Sequence, residues 1–156
     1  MRVLLISYAY PPISAPGAIR VSKWRNYLPE FGWEPTVLTV EGGYSRMKSG
    51  ENLEDDAVIR VPDAPWKSKV SVSPAVATSK KKPSLKSALR KQATYLMFPD
   101  RDRTWIKPAY SKLLELLQTT HFDAMISSSP TMTNHVIASQ IQKKFNIPWL
   151  ADFRDP

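Results

Sequence analysis

Apolar residues recur along this chain in two alternating rhythms. Residues 2–7 are aliphatic and β-branched without polar alternation, the pattern of a strand buried on both faces. Residues 8–17 hold three prolines and a glycine and read as a loop. Over residues 18–31 the spacing becomes helical. Ile19, Val21, Trp24, Tyr27, Leu28 and Phe31 predict a broad apolar face, with Arg20, Lys23, Arg25 and Asn26 largely opposite. Gly32 stands where a left-handed helix cap belongs. Residues 35–40, rich in Val and Thr, and the short run 57–61 read as further strands.

The second half repeats the alternation. Residues 62–83, rich in Ser, Pro, Lys and Ala, carry no clear periodicity and read as a long surface loop or a disordered stretch. Residues 84–98 recover helical spacing, with Leu85, Ala88, Leu89, Ala93, Leu96 and Met97 on one side. After a charged turn at 99–104, a helix is predicted over about 105–120, with Pro108 in its first turn, where a missing N–H does little harm. Residues 122–127 read as a strand. Ser129 as N-cap and Pro130 as first residue open a helix to about Phe145, ended by Asn146. Residues 147–152 form the last strand. The alternation predicts one α/β domain over residues 1–156. It is a Rossmann-like open parallel sheet with helices on both faces and a basic insertion at about 62–98.

Composition narrows the chemistry. At 156 residues and 42% hydrophobic, the chain is long enough to bury a core without staples. It has no cysteine, which excludes disulfides, thiol catalysis and Cys-ligated zinc. Two histidines, His121 and His135, leave little room for a His-rich metal site, and no metal or cofactor is expected. No apolar run approaches the roughly 20 residues of a membrane span, and the N-terminus turns polar too soon for a signal peptide, so the expected home is the cytoplasm. The net charge of +8 is local. Eight basic and no acidic residues lie between Ala64 and Pro99, leaving 14 of each sign elsewhere. A neutral body with one basic arm argues against a nucleic-acid partner. Lys80, Lys81, Lys82, Lys86, Arg90 and Lys91 are instead candidates for contact with an anionic membrane surface, or else a solvated face over a helix packed on the domain.

Open parallel sheets bind ligands at the carboxyl ends of their strands. Three polar segments are expected there. The first, residues 8–20, offers Gly17, which lets a ligand approach the backbone, and Arg20, a fixed charge, beside a helix N-terminus. It is neither a dinucleotide fingerprint nor a P-loop, and a plain turn is the simpler reading. The second, residues 127–135, offers the hydroxyls of Ser128 and Ser129, against a plain helix cap. His135 is expected to pack or to make a structural hydrogen bond rather than to catalyse. The third, residues 152–156, offers Arg154 and Asp155, against simple Asp–Arg pairing. Asp100-Arg101-Asp102 has Asp-x-Asp spacing, but the arginines oppose a cation.

Taken in order, these segments resemble the N-terminal half of the family 4, or group 1, glycosyltransferases, which have the two-domain GT-B fold. The matching stretches are residues 1–20 with Tyr-Pro-Pro and Gly-Ala-Ile-Arg, residues 27–39, and Phe98-Pro99-Asp100. Ser127-Ser128-Ser129-Pro130 with His135, and residues 147–156 ending in Asp152-Phe153-Arg154-Asp155-Pro156, complete them. Where family members often carry consecutive glycines, this chain has Ala15-Pro16-Gly17. The resemblance implies an acceptor-side domain of a retaining transferase that moves a sugar from a nucleotide-sugar donor to a glycan or lipid-linked acceptor, in cell-surface polysaccharide or glycolipid assembly. It implies a C-terminal donor-binding domain outside these residues, an isolated chain that does not turn over, and a place at the inner face of the membrane. It assigns no catalytic residue. The rival readings are a stand-alone Rossmann-type module that binds a nucleotide or a partner without catalysis, and a membrane-binding scaffold driven by the basic arm.

Overall fold

The computed structural model describes residues 1–13, 15–41, 55–63 and 98–153. Among them, five strands form one all-parallel sheet: β1 (Arg2–Ile6), β2 (Glu34–Val40), β3 (Val58–Val61), β4 (Ala124–Ser128) and β5 (Trp149–Asp152). The helices are α1 (Pro16–Tyr27), α2 (Ile106–Thr119) and α3 (Met132–Phe145), with 3₁₀ turns at Leu28–Phe31 and Arg103–Trp105. The strand order is β3-β2-β1-β4-β5, so the chain leaves β1 toward one edge and returns to β4 on its other side. This is the Rossmann-like arrangement, with its switch point between β1 and β4.

The continuous apolar run of β1 follows from its central place. Leu4 and Ile6 point into one core with Leu38, Val40, Met125, Ala109, Leu113, Ile137 and Ile141, beneath α2 and α3. Val3 and Leu5 point into a second core with Val21 and Val37, beneath α1. Helices therefore cover both faces, as expected. Gly32 caps the turn after α1 at φ 77°, and Asn146 ends α3 at φ 53°.

Three local expectations are corrected. The first helix starts at Pro16 and changes to a 3₁₀ turn at Leu28. Its buried stripe is narrower than the apolar spacing suggested: Gly17, Ala18 and Val21 are buried, whereas Ile19, Tyr27 and Phe31 are exposed. Ile19 and Tyr27 lie off the i, i+3/4, i+7 stripe that faces the sheet, and Phe31 leaves it because the helix has changed to a 3₁₀ turn. The second correction concerns Ser129 and Pro130, which precede α3 rather than open it. Thr131 is the N-cap residue, and no side chain adjacent in sequence caps it. The third is at the end of β4, where the strand runs one residue further, to Ser128, because it pairs Ser128 with Asp152. Residues 84–97 of the predicted helix over 84–98 lie outside the described residues, and Phe98 is exposed and not helical.

Candidate functional site at the carboxyl edge of the sheet

The segments after β1 and β4 and the end of β5 meet at the switch point. Tyr8 N–H donates to Asn134 Oδ1 at 3.0 Å, and Asn134 Nδ2 donates to the Ser128 carbonyl at 2.7 Å. One buried amide thus ties the loop after β1 to the loop after β4. On the β3 side, Tyr8 Oη donates to Asp63 at 2.8 Å and stands edge-on to the Trp105 ring at 5.4 Å. Thr104 Oγ1 donates to the other oxygen of Asp63 at 2.7 Å. Arg60 Nη2 donates to the Pro11 carbonyl at 2.7 Å, fixing the outer part of the first loop.

Four of the six residues expected at the site are brought together here. Arg20 Nη1 donates to both oxygens of Asp152, at 2.8 and 2.7 Å. Ser128 Oγ donates to Asp152 Oδ2 at 2.8 Å. The Ser129 N–H donates to the Asp152 carbonyl at 3.0 Å, extending the ladder between β4 and β5 by one rung. Gly17 is buried against the β4–α3 loop. A Cβ placed there would stand 3.1 Å from Pro130 Cδ and 3.7 Å from the Ser129 carbonyl oxygen. Its missing side chain admits a neighbouring loop at that position. Arg154 and Asp155, and the basic candidates Lys80, Lys81, Lys82, Lys86, Arg90 and Lys91, lie outside the described residues.

The amino end of α3 is occupied from a distance. Thr133 N–H donates to Asp100 Oδ2 at 2.7 Å, and Thr133 Oγ1 donates to Asp100 Oδ1, also at 2.7 Å. A carboxylate at a helix N-terminus satisfies free N–H groups and the positive end of the dipole. Sequence reading missed this role for Asp100, and that of Asn134. Asp100 stands 33 positions before its partner, and Asn134 sits in a polar triplet that looks like an exposed first turn.

His135 is buried, as expected, and sits between the ends of β4 and β5. Its Nδ1 is 2.7 Å from Ser127 Oγ, which accepts the Trp149 indole N–H at 2.9 Å. The Phe153 ring lies over the imidazole, with centroids 4.4 Å apart. Burial pushes the His135 pKa down, and the Asp152 carboxylate opposes that shift only in part. The imidazole is therefore neutral at pH 7. Among the described residues, no group of three or more His, Asp or Glu side chains is arranged to hold a metal ion. Two open hollows, of about 530 and 410 Å³, lie away from this rim. One is at the amino ends of β4 and β5, and the other lies between Trp33, Ile126 and Leu150 on the α1 side.

No protein family and no curated protein matches this chain. A solved structure does match in fold: sucrose-phosphate synthase from Thermosynechococcus elongatus, with a TM-score of 0.56 at 13% sequence identity. The match covers 99% of this chain and 33% of that one, so the chain spans about a third of that protein's length. The chain thus has an α/β fold of Rossmann type, shared with part of that protein. Among the described residues, no helix is long and apolar enough to cross a membrane.

Proposed function

We propose that this chain is the acceptor-side domain of a retaining GT-B glycosyltransferase of the hexosyl-transferring, family 4 type. In this reading it receives a glycan or lipid-linked acceptor, onto which a sugar is moved from a nucleotide-sugar, in cell-surface polysaccharide or glycolipid assembly. The observation that carries the proposal is the convergence of Arg20, Ser128 and Asp152 at the switch point of a sheet whose fold matches a glycosyltransferase. Such a crevice is where open α/β sheets hold their ligands. Hydroxyl, carboxylate and guanidinium groups in one cluster suit a polyol, whose hydroxyls both donate and accept.

The same geometry says what this rim does not supply. Sugar transfer needs neutralisation of the departing diphosphate and exclusion of water around the reacting centre. Here the charge of Arg20 is taken by Asp152, and the amino end of α3 is taken by Asp100. In this reading, clamping of the leaving group belongs to a donor-binding domain outside these residues, and the isolated chain is inactive in transfer. The basic segment at 62–98 belongs to the same proposal, on its charge alone, as the contact with an anionic membrane on the cytoplasmic side.

Amide NMR titration of the chain tests the reading. Methyl glycosides of glucose, galactose and mannose are expected to shift the signals of Gly17, Arg20, Ser128 and Ser129, with UDP and GDP moving them less. Strong binding of the nucleotides with no response to any glycoside would favour the stand-alone nucleotide-binding module instead.

A further inference from the structure

The group formed by Ser127, His135, Trp149 and Phe153 has no part in the sugar-binding rim, and it holds a buried polar atom with no partner among the described residues. Ser127 is fully buried, and its oxygen already accepts the Trp149 indole N–H. Two tautomers of His135 are open to it. With the proton on Nδ1, Ser127 accepts twice, and both its own hydrogen and the Nε2 lone pair are stranded. With the proton on Nε2, Ser127 donates to Nδ1, and one group alone is left over, the Nε2–H. Burying an unpaired polar group is costly, so the second arrangement holds. His135 is only 7% exposed, and its Nε2 has no hydrogen-bond partner among the described residues.

The position of that donor is informative. The imidazole sits between the carboxyl ends of β4 and β5, beside Asp152, which carries the Arg20 and Ser128 contacts. Its cover is Phe153, the residue just past β5, which is 59% exposed.

We propose that His135 is a ligand-binding residue: its Nε2–H donates a hydrogen bond to a hydroxyl of the sugar received at this rim, once the Phe153 ring turns aside. The inference rests on the sugar-binding reading of the rim and adds the donor group and its cover. A neutral hydroxyl suits the place better than a phosphate. The Asp152 carboxylate beside the ring repels an anion, and the nearby guanidinium is already paired. Trp149 and Ser127 are positioning residues, which hold the imidazole in one tautomer and orientation. The exposed face of Phe153 then offers an apolar surface for the C–H side of the sugar ring.

Nitrogen-15 NMR of the imidazole in the full 156-residue chain tests this directly. The free chain should show a protonated Nε2 and an unprotonated Nδ1 at neutral pH. Adding the methyl glycosides should move the Nε2–H signal together with those of Arg20 and Ser128. His135→Phe should weaken glycoside binding by at least about tenfold, the loss of one buried hydrogen bond to a ligand. His135→Gln, which keeps an N–H near the same point, should stay within a few-fold of the parent. Glycosides that shift Arg20 and Ser128 but leave His135 unmoved would overturn the role of His135 and leave the rim as the sugar site. Glycosides that shift nothing would remove both readings. An Nδ1-protonated ring would overturn the proposal with no ligand present, and that result needs no variant to fold.

Discussion

At the scale of single residues, the site is a set of polar groups whose partners come from distant parts of the chain. Arg20 and Asp152 are 132 positions apart and meet through both carboxylate oxygens. Tyr8 and Asn134 are 126 apart. His135 adds a titration that can be read as stability. Its pKa in the folded chain lies below its ordinary value of 6.5 because burial disfavours the charged ring. Well above pH 6.5 neither the folded nor the unfolded chain holds this proton. As the pH falls below 6.5, the unfolded chain binds it first, so stability is lost until the folded-state pKa is passed. The loss has a slope of at most about 1.4 kcal/mol per pH unit for one proton. Urea unfolding of the chain and of His135→Gln between pH 7.5 and 5 checks this. The variant should lose less stability over that range, and parallel curves would show that the ring does not titrate on unfolding.

At the scale of elements, α3 is held by a residue from another segment. Its own N-cap, Thr131, makes no side-chain cap bond, and Asp100 takes both the N–H and the hydroxyl of Thr133. The charged turn at 99–104 therefore acts as a clasp on the helix that carries Asn134 and His135. Asp100→Ala should cost about 1–2 kcal/mol, the upper part of the range for a lost cap, since two bonds go at once. Asp100→Asn should cost less, because its amide oxygen still accepts while the charge–dipole part is lost. Chemical denaturation measures both, and faster amide exchange in the first turn of α3 should accompany the loss. Equal stabilities for the parent and the Ala variant would mean that water caps the helix as well as Asp100 does.

At the scale of the whole molecule, the core beneath α2 and α3 reaches the rim through Trp105, between β3 and α2. Trp105 is completely buried there, donating its indole N–H to the Val61 carbonyl at 3.2 Å and meeting Tyr8 edge-on. It fills the corner between β3, the first loop and α2. Trp105→Ala should cost about 3–5 kcal/mol, which is a large part of the roughly 5–15 kcal/mol that holds a domain of this size together. Trp105→Phe should cost clearly less while losing the Val61 bond. Calorimetric or urea unfolding checks the pair, and a Trp105→Ala chain as stable as the parent would show that the corner collapses without a cavity.

The strands and helices were legible because each carries its own periodicity. The unbroken aliphatic run of β1 can lie only between two covered faces, and Gly32 and Asn146 mark helix ends because few other residues adopt a positive φ. The chain's alternation of elements accordingly specified a parallel α/β sheet, and its order of polar loops named Gly17, Arg20, Ser128 and Ser129. Pairing was not legible, since a hydrogen bond or an ion pair leaves no local pattern when its members lie 30 or 130 positions apart. Ser129-Pro130 looked like a complete helix start, whereas folding brought Asp100 to do that work. Arg20 reads as a fixed charge for a ligand, whereas the end of β5 pairs it with Asp152. By itself the sequence determined the described strands and helices, the two buried faces of β1 and which loops share an edge, because those depend on neighbouring side chains and chirality. The tertiary structure alone decided which groups at that edge are spent on one another and which, as at His135, have no partner among the described residues.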